Sequence, residues 1–242
     1  QSSLVHVFRD GRKLSIKQTG LQYREIAEDL GISMRNQFLR TFDTAKVLLL
    51  VEGIRDIHAL THVAKVYKDA GKISDTFSDL DIALIPIGGC GSIQHWVALD
   101  LMHTLQKNYF VWFDSDRLSE GGPSNTREML INLRFGDGVT TMKEGIDFLV
   151  ARKRDIENYI PCDFLNSIVP GAGLAYGDFD DVKAHCNASR LGGSLGGGKV
   201  VTRHFDKMTV SDIEKGFSMP DGADEFLILY KAVKAKLPTK LP

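Results

Sequence analysis

The hydrophobic residues of this chain fall in short continuous runs separated by longer stretches of mixed character. Residues 46–51 (KVLLLV), 81–87 (DIALIPI) and 109–113 (YFVWF) are three such runs, and residues 146–152 (IDFLVAR) form a weaker fourth. Runs of this length that are rich in Val, Leu and Ile are typical of strands buried on both faces of a parallel sheet. The pattern therefore predicts about four buried strands.

Between these runs the apolar residues recur with helical spacing. Residues 54–70 predict an amphipathic helix after the first strand, and residues 92–107 predict another after the second. Strands that alternate with helices in this way form βαβ units. The prediction is an α/β fold in which helices flank a parallel sheet.

The two ends of the chain follow other patterns. Residues 4–19 predict a β-hairpin with Asp10-Gly11 at its turn, and residues 20–40 predict helix with a break at Gly31. Residues 162–242 are glycine-rich and predict an additional helical subdomain with a closing helix at 222–236. We therefore expect three regions, with bounds 1–44, 45–161 and 162–242.

Composition narrows the class of protein. Hydrophobic residues are 43% and charged residues 25% of the 242 residues, as in ordinary globular proteins. No apolar run approaches the roughly 20 residues that a bilayer span needs, and no signal peptide is visible. The cysteines (Cys90, Cys162 and Cys186) have neither disulfide nor zinc spacing, so a cytoplasmic protein is expected. The net charge of −1 gives nucleic-acid binding no support unless local basic patches or metal ions supply it.

Acidic side chains follow two of the predicted strands. Glu52 comes directly after the first strand with Asp56 four residues on, and Asp114 and Asp116 follow the third. Crowded carboxylates repel one another unless a cation joins them, and Mg²⁺ and Mn²⁺ prefer oxygen ligands. In extended backbone, residues 114 and 116 would share one face. A lone D-x-D is usually a turn or a helix cap, but both groups at the carboxyl ends of strands in one unit predict a metal site.

A glycine turn follows the second strand. The N–H groups of Gly88, Gly89, Gly91 and Ser92 open the next predicted helix and could hold a phosphate there. A tight turn with positive φ would account for the glycines equally well. The sequence leaves both interpretations open.

Four segments together resemble a known family. VEGIRD (51–56) and FDSD (113–116) are similar to the TOPRIM domain shared by topoisomerases, primases and related nucleases. The segments IPIGGCGSI (85–93) and RKRDIENYIP (152–161) resemble the TOPRIM half of the OLD-family nucleases (overcoming lysogenization defect). The resemblance extends from about residue 20 to residue 161.

The resemblance implies a particular active site. Family members cut DNA with two metal ions, Mg²⁺ or Mn²⁺, for which Ca²⁺ could be a non-catalytic substitute. Carried over by position, Glu52, Asp56, Asp114 and Asp116 are the ligands. Glu157 matches the glutamate of a later family helix that would serve the second metal, although a surface charge or capping partner is the plainer interpretation. A basic residue is also expected beside the phosphate, and Lys199 is the choice, with Arg203 and Lys207 as rivals.

The resemblance also implies a further domain that this sequence does not contain. Family members carry an N-terminal ABC-type ATPase domain, through which a homodimer could form. This chain contains no GxxxxGK[ST] phosphate loop, so residues 1–44 would be the lead-in from that ATPase domain. The first residue, Gln1, fits a fragment of a longer protein. Defence against phage is the biological role that the resemblance suggests.

The predicted function is therefore metal-dependent DNA endonuclease or nickase activity by a two-metal mechanism. RNA as the substrate remains open. A topoisomerase- or primase-like reaction is an alternative, although Tyr109 lies in a core strand and Tyr159 and Tyr176 have no supporting motif. A non-catalytic nucleic-acid-binding module is the other alternative, and loss of a carboxylate would have favoured it.

Overall fold

The computed structural model describes residues 6–10, 13–17, 44–94, 108–134, 141–189 and 199–238. Residues 20–40, for which helix is predicted, and most of the predicted helix at 92–107 lie outside these ranges. The N-terminal hairpin prediction is confirmed for its two strands. They are antiparallel, with Asp10 opposite Lys13. The strands are β1 (His6–Asp10) and β2 (Lys13–Lys17).

The four predicted buried strands form one parallel sheet in the order β4-β3-β5-β6. The first three match the apolar runs closely, and all five residues of β3 are buried. The fourth strand is shorter than the predicted 146–152, because only three of its residues pair with β5. The strands are β3 (Val47–Val51), β4 (Ile82–Pro86), β5 (Asn108–Phe113) and β6 (Phe148–Val150).

Helices lie along the chain between and after these strands. The helix predicted at 54–70 is confirmed, and its buried side chains follow the expected stripe. The closing helix is confirmed in a shorter form. The helices are α1 (Ile54–Asp69), α2 (Asn125–Asn132), α3 (Cys162–Ile168), α4 (Val182–Ala188), α5 (Lys199–His204), α6 (Val210–Phe217) and α7 (Glu225–Lys234), with 3-10 turns at Ser78–Leu80, Cys90–Ser92, Ile156–Tyr159 and Phe205–Lys207.

Each face of the sheet has its own core. Leu48 and Leu50 face a smaller cluster with Leu130 of α2, whereas Leu49 and its neighbours face a larger one. The larger cluster contains the buried side of α1 together with apolar side chains from α3 to α7. The helices of residues 162–238 therefore share the core of the sheet. The predicted division at 161/162 stays a prediction.

No helix in the described part of the chain is both long enough and apolar enough to span a membrane.

Candidate metal site at the carboxyl edge of the sheet

The pairing of β3 with β5 brings two acidic residues together. Val51 lies opposite Trp112, so Glu52 and Asp114 follow their strands at the same edge of the sheet. Asp114 is 8% exposed and Glu52 is half-buried. Both line a cavity of about 300 Å³. Its charged lining consists of Glu52, Asp56, Asp114 and Glu157, with Arg55 and Lys183 as the cations.

Asp56 reaches the cavity from the first turn of α1. One carboxylate oxygen, Oδ2, accepts a hydrogen bond from the backbone N–H of Gly53 at 2.7 Å, which orients the side chain. Burial raises the pKa of Asp56 to about 6, the Gly53 hydrogen bond opposes this rise, and the charge of Glu157 adds to it. Asp56 is therefore both the helix cap and a member of the acidic group.

Asp116 lies near the cavity, but its backbone conformation differs from the predicted one. Its φ is +54°, so the backbone is left-handed there and the expectation of extended backbone from 114 to 116 is wrong. The N–H groups of Ser115 and Asp116 both donate to the carbonyl of Arg154, which bends the chain at this point. Asp116 is exposed and accepts a hydrogen bond from the Thr126 hydroxyl at 3.3 Å.

Glu157 enters the cavity from the 3-10 turn at Ile156–Tyr159. Its side chain is 1% exposed, and Oε1 lies 3.4 Å from Arg55 Nη1. Its other oxygen, Oε2, lies 3.5 Å from Lys183 Nζ, which is also 3.3 Å from Asp155 Oδ2. The interpretation of Glu157 as a surface charge is wrong, because its side chain is buried and lines the cavity together with the other acidic residues. We call residues 155–157 with their two carboxylates the 155–157 turn.

The 155–157 turn is held by contacts with the C-terminal helices. The Tyr159 hydroxyl donates to Glu225 Oε2 at 2.8 Å, and the backbone N–H of Arg152 donates to Glu225 Oε1 at 2.6 Å. Glu225 is the first residue of α7, and Tyr159 is fully buried. These two hydrogen bonds fix both ends of the segment that carries the turn.

A buried lysine supports the same segment from the other side. Lys153 Nζ lies 2.8 Å from Asp178 Oδ1 and donates to the carbonyl of Asn158 at 3.0 Å. The Asn158 amide donates in turn to the carbonyls of Gly177 and Asp180. The position of Glu157 therefore depends on residues 20 or more positions further along the chain.

Burial and mutual repulsion disfavour the ionised form of the carboxyl groups in the cavity. Burial raises the pKa of Glu52 to about 7, with further contributions from the charges of Asp116 and Asp56. Burial raises the pKa of Asp114 well above its usual range, and the charges of Asp56 and Glu52 add to this effect. Burial also raises the pKa of Glu157. A bound cation would relieve this repulsion.

Two buried oxygens in the cavity lack hydrogen-bond partners. Asp114 Oδ1 and Glu157 Oε2 are both inaccessible and accept no hydrogen bond, although Lys183 lies near the latter. Unpartnered buried carboxylate oxygens are costly, and hard divalent cations take such oxygens as ligands. Within the described ranges, however, no three His, Cys, Asp or Glu side chains already converge as a metal-binding group. The donor chemistry fits a divalent ion, whereas the ligand geometry is not preformed.

The glycine turn uses its amides within the protein. The N–H groups of Gly88 and Gly89 both donate to the carbonyl of Glu52, and the N–H of Ser92 donates to Gly89. Gly88 and Gly89 have φ values of +79° and +106°, which confirms the turn interpretation. Phosphate binding by this turn, including Gly91, stays a prediction, and these hydrogen bonds disfavour it. The turn also anchors the backbone at Glu52, the residue that follows β3.

The described lysine in the cavity is Lys183, which the sequence interpretation missed. Lys199 begins α5, but its side chain lies outside the description, so its role stays a prediction. The rivals Arg203 and Lys207 are exposed and do not line the cavity. Lys183 has no motif that singles it out. Asp155, also missed, could have been found from its spacing two residues before Glu157.

The parallel sheet flanked by helices, with acidic residues at two adjacent strand ends, is consistent with the α/β fold of a TOPRIM domain, a nucleic-acid-processing domain that typically binds divalent metal. Residues 44–116 match the family model described as overcoming lysogenization defect protein-like, TOPRIM domain, so this part of the chain is a TOPRIM domain of the OLD-like type. No curated protein matches the chain. The matched residues include Glu52, Asp56, Asp114 and Asp116 but not the 155–157 turn.

Proposed function

We propose that this chain is a metal-dependent DNA endonuclease or nickase, the nuclease region of an OLD-family protein. The observation that supports it is the buried, unpartnered Asp114 Oδ1 in a cavity whose other carboxyl groups, those of Glu52, Asp56 and Glu157, also have raised pKa values. An acidic cavity of this kind repels a phosphodiester unless cations are bound. The proposal therefore requires divalent ions, Mg²⁺ or Mn²⁺.

The ligands in this proposal are the carboxylates at and after the ends of β3 and β5 together with those of the 155–157 turn. Glu52, Asp56, Asp114 and Asp116 would hold one ion, and Glu157 and Asp155 would complete a second position. Such ions lower the pKa of an attacking water and stabilise the leaving oxygen of the phosphodiester. Lys199 remains the proposed basic residue beside the phosphate, and DNA and the ATPase domain remain the proposed partners.

The described tyrosines favour hydrolysis over a topoisomerase-like reaction. A covalent intermediate needs a tyrosine hydroxyl that can reach the phosphate. Tyr159 is fully buried against Glu225, and the Tyr176 hydroxyl donates to the carbonyl of Ile160 at 2.7 Å. Neither these two residues nor Tyr109 of β5 lines the cavity.

Nicking of supercoiled plasmid in Mg²⁺ or Mn²⁺ tests the proposal. Asp114→Asn keeps the shape of the side chain and removes its charge. We expect this variant to lose about three orders of magnitude in nicking rate, equivalent to about 4 kcal/mol of transition-state stabilisation. The matched control is Asp81→Asn, because Asp81 is exposed at the opposite end of β4 and Asn tolerates its left-handed backbone.

The same assay separates the alternatives. Structured RNA cleaved faster than plasmid would change the substrate to RNA. A covalent protein–DNA adduct on denaturing gels would favour the topoisomerase-like reaction. Full nicking activity in Asp114→Asn would overturn the assignment of the site.

A further inference from the structure

Lys183 lies between the carboxylate of Glu157, which lines the cavity, and that of Asp155 in the same turn. Its Nζ is 3.3 Å from Asp155 Oδ2 and 3.5 Å from Glu157 Oε2. Charge-assisted N–H···O hydrogen bonds are normally about 2.7–2.9 Å long. The ammonium is therefore shared loosely between two carboxylates, and Glu157 Oε2 has no hydrogen-bond partner at all.

We propose that the Lys183 ammonium is an internal counter-ion that occupies the position of a second divalent cation and must leave when that cation binds. This inference rests on the proposed function, since it assumes that the cavity takes two ions. It identifies Lys183 as the residue that sets the affinity of the second ion. The Asp114 oxygen without a partner marks the other part of the cavity as a separate ligand group.

The charge distribution supports a competition between the ammonium and a metal ion. Both are attracted by Asp155 and Glu157, and at such short range they would repel each other. A divalent ion takes carboxylate oxygens at about 2.0–2.6 Å, closer than the ammonium lies here. The ion and the ammonium therefore cannot both occupy the space between these two carboxylates.

The side chains differ in their freedom to move. The Glu157 side chain is 1% exposed, whereas that of Lys183 is 37% exposed and has a flexible four-carbon stem. The 155–157 turn is also fixed from both sides by Glu225 and Lys153. Lys183 is therefore the member of this group that can swing out, and the carboxylates stay as ligands.

Calorimetric titration of the whole chain with Mn²⁺ tests the inference without using nuclease activity. Lys183→Met removes the competing charge. We expect the weaker ion to bind about tenfold more tightly in this variant. We also expect saturating Mn²⁺ to raise the melting temperature more than in the unmodified chain. Lys183→Arg keeps the charge and should retain the weaker binding.

The matched control is Lys65→Met, because Lys65 is exposed on α1 and does not line the cavity. Its titration should equal that of the unmodified chain. Lys183→Gln provides a second neutral variant with hydrogen-bond donors, for use if Lys183→Met does not fold. It should also bind the weaker ion more tightly.

The outcomes separate this inference from the proposed function. Equal or weaker binding of the second ion in both neutral variants, while the unmodified chain binds Mn²⁺, would overturn the inference alone. Absence of Mn²⁺ binding in every protein would overturn the proposed function and the inference with it. Tighter binding in the neutral variants and unchanged binding in Lys183→Arg is the expected result.

Discussion

The strand-end residues and the 155–157 turn reach the same cavity by different means. Glu52 and Asp114 are placed by the register of β3 with β5, a backbone arrangement that any suitable apolar run would produce. Asp155 and Glu157 lie on a short turn that Glu225 and Lys153 hold from outside. The first half of the site is thus a property of the sheet, and the second depends on the C-terminal helices.

This difference makes the two halves separable by mutation. Changes in the C-terminal helices should disturb the 155–157 turn while the strand ends keep their register. Changes of the strand-end carboxylates should alter charge without altering the packing.

The largest expected effect comes from Gly216 of α6. A Cβ at this position would overlap the carbonyl oxygen of Tyr159, at the end of the turn that carries Glu157. Gly216→Ala should therefore push α6 away from this turn and lower the free energy of unfolding by about 3 kcal/mol. Urea denaturation measures this, and Mn²⁺ titration of the folded variant should show weakened binding.

Gly177→Ala is the control for that prediction, because a Cβ there would make only ordinary contact with Asp180. Its stability should change by less than about 1 kcal/mol. If Gly216→Ala were as stable as Gly177→Ala, the C-terminal helices would not be the support of the turn.

The next largest effect is the pH dependence of the free energy of unfolding in the absence of metal. Because the folded-state pKa of Asp56 is raised to about 6, the folded protein holds this proton more tightly than the unfolded chain. The free energy of unfolding should therefore fall as pH rises from about 4 through 6, on the order of 2–3 kcal/mol from Asp56. Burial raises the pKa of Glu52 to about 7, which extends the fall to higher pH.

Asp56→Asn isolates this effect, because the amide oxygen can still accept the Gly53 hydrogen bond. Urea denaturation in EDTA at several pH values should show the variant gaining stability relative to the unmodified chain as pH rises. A difference that does not vary with pH would show that Asp56 titrates normally.

The smallest effect is expected at Asp178, which pairs with Arg152 and with buried Lys153 at 2.8 Å each. Asp178→Asn should cost about 1–2 kcal/mol, because buried Lys153 loses its charged partner while it keeps its hydrogen bond to Asn158 and its contact with the Tyr159 ring. Asp163→Asn is the control, since both side chains of the ion pair between Asp163 and Lys215 are exposed to solvent. Equal denaturation midpoints for the two variants would contradict the supporting role of Lys153.

The sequence predicts the strand-end half of the site better than the other half. The runs before Glu52 and Asp114 are continuous and apolar, so their strand ends and shared edge follow from local pattern. The left-handed backbone at Asp116 does not follow, because it depends on hydrogen bonds to the carbonyl of Arg154.

The position of Lys183 could not be predicted for a similar reason. Lys183 lies on a short helix, α4, which packs against the turn at Ile156–Tyr159. This packing is a long-range contact that the local sequence pattern does not indicate. The family resemblance identified Glu157, but only the structure shows that its side chain is buried and paired with Arg55 and Lys183. Local pattern therefore predicts the elements, while long-range packing decides which charges meet.

The shared core has a consequence for how this chain can be divided. The family match ends at residue 116, yet the face of the sheet formed by Leu49 and Trp112 packs with Phe164, Phe217 and Phe226. A fragment trimmed to the matched residues, or even to residue 161, would present that apolar face to water and would aggregate rather than fold. The segment that matches the family model is therefore shorter than the segment whose side chains form the core on this face of the sheet.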